Sequence, residues 1–129
     1  MTWYPRTMGD YRQLLVWKRA HAFTLNVYQS TRLFPPAEQF GLTSQLRRAA
    51  ISIVSNIAEG SGRRADRDHA RFLSIARGSV CEVECQLLLS RDVGYLNEET
   101  WEALDGECRG IGRMLSGLIL ALRGKTSSS

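Results

Sequence analysis

The segment from Trp101 to Leu122 constrains most what this 129-residue chain can fold into. Trp101, Leu104, Cys108, Ile111, Leu115, Leu118 and Leu122 recur at alternating spacings of three and four. Residues so spaced share one face of an α-helix, which predicts a long amphipathic helix with a continuous seam for partner helices. Such a seam must be covered, because most helical stability in proteins comes from packing the apolar face rather than from propensity. Asn97 stands where an N-cap accepts a backbone N–H, and Glu98 and Glu99 complement the positive end of the helix dipole.

Three further segments supply the cover. Helix one is predicted over Asp10 to Phe34, with Leu14, Trp17, His21, Leu25 and Tyr28 on one stripe and Val16, Ala20, Phe23 and Val27 beside it. Helix two is predicted over Leu42 to Glu59, with Leu42, Leu46, Ala50, Ile53 and Ile57 aligned. Helix three is predicted over Asp66 to Val93, with Phe72, Ala76, Val80, Val83 and Leu87 aligned, Asp66 as N-cap and Asp68 in the first turn. Pro35-Pro36, Gly60-Ser61-Gly62 and Gly94 separate these segments, since proline cannot continue a helix and glycine readily takes the left-handed C′ conformation. No useful strand alternation interrupts them. Helices joined by such short turns pack antiparallel, so the expected fold is all-α: an up-down-up-down four-helix bundle. The expected organisation is an N-terminal extension over 1–9, the bundle over 10–123 and a disordered tail over 124–129.

No apolar run approaches the roughly 20 residues of a membrane span. The start, Met1 to Arg6, lacks a basic segment followed by an apolar one, so no secretory leader is expected. Cys81, Cys85 and Cys108 are odd in number and form no CxxC pair, which favours a reducing cytoplasm.

Charge is unevenly distributed. Arg47 to Arg77 holds seven arginines against three acids, whereas Gly78 to Leu122 holds eight acids against three arginines. Such asymmetry points either to a polyanionic partner or to self-association of complementary faces. Arg63, Arg64, Arg67 and Arg71 gather near the turn between helices two and three, and arginine's planar fork suits phosphate. The competing reading pairs Arg47 and Arg48 with Glu59, Glu82 or Glu84 and leaves the others solvated. No aromatic platform is interleaved with these arginines in the sequence. Helix two also carries a polar stripe, Gln45, Arg48, Ser52, Asn56 and Glu59. Buried polar groups need partners, so this stripe with Arg47 is expected to join a network between helices or subunits. Arg77, Glu82 and Gln86 are the expected partners on helix three, and Gly78 would allow a neighbouring helix to approach.

Catalytic and metal signatures are missing. Gly60-Ser61-Gly62-Arg63-Arg64 lacks the spacing and lysine of a phosphate loop, and neither GxSxG nor HExxH occurs. Cys81 and Cys85 sit one helical turn apart, but nothing places further ligands beside them, and buried free cysteine is commoner. His69 reads as a surface residue and His21 as a partly buried core or interface residue. Trp17, Tyr95 and Trp101 read as core and rim packing. No metal or cofactor is expected.

The stretches Leu14-Leu15-Val16-Trp17-Lys18-Arg19-Ala20, GLTSQLRRAAISIVSNIAEGSGRR from Gly41 and FLSIARGSVCEVECQLLLSRDVGYL from Phe72 resemble the four-helix-bundle family also known as 23S rRNA intervening-sequence proteins. The resemblance covers Tyr11 to about Leu122. It implies a bundle that assembles into a ring-like homopentamer, and it extends distantly to the accessory protein of diversity-generating retroelements, a basic pentamer that binds nucleic acid and a reverse transcriptase. Val54 stands where the family commonly has proline, and Asp66-Arg67-Asp68 stands where lysine is common, which dilutes the basic patch. The expected function is a non-catalytic oligomeric binding module that engages RNA or DNA through Arg63, Arg64, Arg67 and Arg71, possible protein partners included. The competing expectation is a homo-oligomeric scaffold or protein-interaction module without nucleic acid.

Overall fold

The computed structural model describes the backbone of residues 10–128 and the side chains of residues 10–124. The expected 1–9 extension and Ser129 lie outside the described residues. Four helices follow in order: α1 (Leu15–Thr31), α2 (Leu42–Ser61), α3 (Asp66–Asp92) and α4 (Glu98–Ser128). No strand occurs among the described residues. Each helix packs on its neighbours in sequence, α4 closes back on α1, and among the described residues the backbones of the diagonal pairs stay apart. With short connections, that adjacency is the up-down-up-down bundle. The α2–α3 turn therefore lies at one end with the start of α1, and the other two connections lie at the opposite end.

The core follows the helical period. Leu46, Ala50, Ile53 and Ile57 of α2 meet Leu73, Ala76, Val80, Val83 and Leu87 of α3. Leu104, Cys108, Ile111, Leu115 and Leu122 of α4 complete it, with Trp101 and Leu118 of the same seam partly buried against them. On α1 the two expected stripes are buried unequally, with Leu14 and Trp17 of the first packed partly against the core. Val16, Ala20, Phe23 and Val27 are buried, whereas His21 and Leu25 of the other stripe are exposed. Both stripes are apolar enough to compete.

Helix ends show equally local causes. Asn97 Oδ1 accepts from the Thr100 N–H at 2.7 Å, the expected cap of α4. Gly94 adopts φ +91°, and the turn after α3 closes with the Tyr95 N–H on the Ser90 carbonyl at 2.9 Å. The N-cap of α3 is Ala65 rather than Asp66, which falls inside the first turn with Asp68 and there complements the dipole. α1 begins later than expected, because Asp10 caps a separate 3-10 turn over Tyr11–Gln13. The backbone of α4 continues to Ser128, past the 124 boundary drawn from sequence.

One latch ties the end opposite the α2–α3 turn. Glu38 accepts from the Leu42 N–H at 3.0 Å through Oε1, capping α2, and from the Tyr95 hydroxyl at 2.9 Å through Oε2. The Leu42 N–H and the Tyr95 hydroxyl hold the Glu38 carboxyl below its ordinary range.

Candidate functional site

The α2–α3 turn is held by a close helix crossing. A Cβ added at Gly60 would sit 3.0 Å from Phe72 Cβ and 3.1 Å from His69 Cδ2, so glycine is what lets α3 leave α2 at this angle. His69 is buried in that crossing, at 4% exposure, which corrects its expected surface position. It lies one turn before Leu73 on the core face of α3, and Gly60 leaves room for the ring.

Arg63, Arg64, Arg67 and Arg71 are exposed around this crossing. Arg63 pairs with Glu59 at 2.6 Å and Arg71 lies 3.9 Å from Asp68. The guanidiniums of Arg63 and Arg71 also stand over the Phe72 ring, at 4.7 and 4.5 Å. Phe72 was assigned to the core stripe, yet it is half-buried and serves as a platform for two arginines. Its adjacency to Arg71 was the available signal. Arg64 and Arg67 have no ion pair among the described residues. The end of the bundle thus carries four guanidinium groups, two oriented on an aromatic ring and two open to solvent.

The polar stripe of α2 divides. Ser52 and Ser79 hydroxyls meet at 2.7 Å across the α2–α3 interface, and the Asn56 amide donates to the Ser52 carbonyl at 2.8 Å. Gln45 and Arg48 are exposed, and Glu59 joins the arginine turn instead. The helix-three partner is Ser79, because Arg77 and Glu82 face elsewhere: Arg77 donates to Ser116 of α4 at 2.5 Å, and Glu82 is exposed. Gln86 is half-buried, and its Oε1 has no hydrogen-bond partner among the described residues. Arg47 donates to Thr31 Oγ1 at 2.9 Å and to the Tyr28 carbonyl at 3.3 Å while covering the Tyr28 ring at 4.5 Å. It therefore closes the end of α1 rather than pairing with Glu59, Glu82 or Glu84. Among the described residues nothing from another element lies within 4 Å of a Cβ added at Gly78.

Two readings from sequence are revised around the aromatic residues and thiols. His21 is exposed and stacks on Trp17 with ring centroids 4.7 Å apart, so it is not a core residue of the chain. Cys81 and Cys85 are exposed, and Cys108 is buried. Burial first, then Glu84, Asp105 and Cys81, push the Cys108 thiol up to about 12, so it is a packed, protonated group. Among the described residues no cluster of three or more histidine, cysteine or acidic side chains is arranged to hold a metal. No helix among them is long and apolar enough to cross a membrane.

Comparison with known proteins adds the following. The model of the 23S rRNA-intervening sequence protein family matches residues 12–117. Among curated proteins no match is found. A solved protein of unknown function from the S23 ribosomal protein family of Bacteroides thetaiotaomicron shares the fold, with a TM-score of 0.74 and 23% identity. The likeness covers 81% of this chain and 98% of that one.

Proposed function

This chain belongs to the 23S rRNA-intervening sequence protein family, and from that premise we propose that it is a non-catalytic, homo-oligomeric module whose arginine end binds the phosphate backbone of RNA or DNA. The observation that supports this reading most is the convergence of Arg63, Arg64, Arg67 and Arg71 on one turn, with Arg64 and Arg67 lacking acidic partners among the described residues. Assembly into a pentamer, as the family resemblance implies, repeats that end in every subunit and sums its field. Free exposed thiols at Cys81 and Cys85 fit a cytoplasmic setting. Binding carried by phosphate contacts weakens steeply with salt. Fluorescence anisotropy with a structured RNA at about 50 and 200 mM salt tests this. Binding at low salt that disappears when Arg63, Arg64 and Arg67 are changed together to Ala is expected. No binding at low salt, or full binding by the triple variant, overturns the proposal.

A second reading, a scaffold for self-assembly or a protein partner, draws on the opposite end of the bundle. Leu33 and Phe40 in the α1–α2 connection are 88% and 89% exposed, and Leu89 and Val93 of α3 are exposed at the same end. Exposed apolar clusters of this kind mark interaction surfaces. Under this reading Leu33→Ser with Phe40→Ser lowers the stoichiometry seen by native mass spectrometry, or removes a co-purifying protein, while RNA binding is absent throughout.

A further inference from the structure

The groove between α3 and α4 lies apart from the arginine turn and combines a cavity with uncompensated charge. It encloses about 320 Å³ between Arg77, Cys81 and Glu84 of α3 and Arg109, Arg113 and Ser116 of α4. Its floor is Val80 and Gly112. A Cβ at Gly112 would come 3.2 Å from Val80 Cγ1, so the two helices are packed together beneath the hollow.

The three guanidiniums are not equivalent. Arg109 is neutralised, with Nε donating to Asp105 at 2.8 Å and Nη2 lying 3.8 Å from Glu84. Arg77 donates through Nε to the Ser116 hydroxyl, a neutral acceptor, and keeps both terminal amino groups uncommitted. Arg113 makes no hydrogen bond or ion pair among the described residues. Two cationic side chains without an acid of their own therefore line one concave site, and the Arg113 guanidinium stands at its edge, with Nη2 3.8 Å from the Cβ position of Gly110. The Ser116 proton remains available to a third acceptor, because its oxygen is the one that accepts from Arg77.

We infer that this groove binds the phosphoryl group of a small phosphomonoester or pyrophosphate compound, held by Arg77 and Arg113 with Ser116 donating a hydrogen bond. A phosphoryl group offers three terminal oxygens in a tetrahedral array, enough for two arginine forks and a hydroxyl together, whereas a carboxylate is satisfied by one fork. The hollow is at the small end of ligand sites, which span about 300–1,000 Å³, so the rest of the molecule is compact and rests on the apolar floor. Glu84 opposes the anion and limits its affinity.

Isothermal titration of the full chain with pyrophosphate in a low-salt, phosphate-free buffer tests the inference. Saturable binding is expected, weakened roughly tenfold or more by Arg77→Gln and by Arg113→Gln, each of which removes a charge-assisted contact. Glu84→Gln should tighten binding several-fold, roughly the effect of removing a like charge a few ångströms away, and a merely misfolded variant would not do so. Arg64→Gln with Arg67→Gln should leave pyrophosphate binding unchanged, which separates this groove from the arginine turn. Pyrophosphate should also slow alkylation of Cys81, which lines the groove, and not that of Cys85. No saturable binding at about 1 mM pyrophosphate overturns the inference, as does binding indifferent to Arg77 and Arg113. A short oligonucleotide that displaces pyrophosphate at far lower concentration would make the occupant a phosphodiester chain and refute the small-molecule assignment.

Discussion

Gly60→Ala should destabilise the protein although alanine is the better helix former. In an exposed helix interior the substitution would gain roughly 0.5–1 kcal/mol. Gly60 is buried against α3, however, and the new methyl would meet Phe72 Cβ at 3.0 Å, His69 Cδ2 at 3.1 Å and the His69 carbonyl oxygen at 3.3 Å. Phe72 Cβ and the His69 carbonyl are fixed to the backbone of α3, so relief requires α3 to shift rather than a side chain to rotate. Overpacking of that kind costs roughly 1–3 kcal/mol, leaving a net loss of roughly 0–2.5 kcal/mol after the propensity gain, about 1 kcal/mol at the centre. For a domain of this size that central value lowers Tm by roughly 3–5 °C. Gly78 is the matched control: it is helical and a Cβ there meets nothing within 4 Å among the described residues, so Gly78→Ala should raise stability by roughly 0.5–1 kcal/mol. Thermal unfolding followed by circular dichroism, at one fixed protein concentration because assembly makes Tm concentration-dependent, gives both values. A Gly60→Ala protein at least as stable as the parent would refute the close crossing that shapes the arginine turn.

Other outcomes follow from single contacts. Leu115 is fully buried in the α4 seam, so Leu115→Ala should cost roughly 2–5 kcal/mol in chemical denaturation, and a loss under 1 kcal/mol would contradict its burial. The Glu38 carboxyl is held below its ordinary value, so the unfolded chain binds the proton more readily. Its contribution is therefore complete above about pH 4.5, is lost as pH falls through the lower folded value, and should vanish from the acid limb of a Tm–pH profile in Glu38→Gln. A thiol reagent at neutral pH should modify Cys81 and Cys85 in the folded chain and reach Cys108 only after unfolding, since burial holds that thiol near 12. Rapid modification of all three would contradict the packing of α4 on α3.

Much of the fold was legible because α2, α3 and α4 each carry a single apolar stripe at helical spacing. α1 was harder: two adjacent stripes are apolar, and only the partner helices decide that Phe23 and Val27 turn inward while Leu25 stays out. Glu38 and Tyr95 lie far apart in the chain, and no local pattern announces their hydrogen bond. The arginines near the α2–α3 turn were visible as a run, but the role of Phe72 beneath two of them needed the geometry. Charge counted along the chain also misled. Arg109 and Arg113 fall in the acidic stretch of the sequence, yet α3 and α4 pack so that both line one groove with Arg77. A surface field is set by which helices are neighbours, which charge counted along the chain does not contain.

The salt dependence of nucleic-acid affinity tests the central claim most directly. Each engaged phosphate contributes roughly −0.7 to −0.9 to the slope of log K against log salt, so Arg64→Gln with Arg67→Gln should make the slope shallower by roughly 1.4–1.8 for every subunit in contact. An RNA complex whose slope is identical in parent and variant would contradict an interface built on the arginine turn.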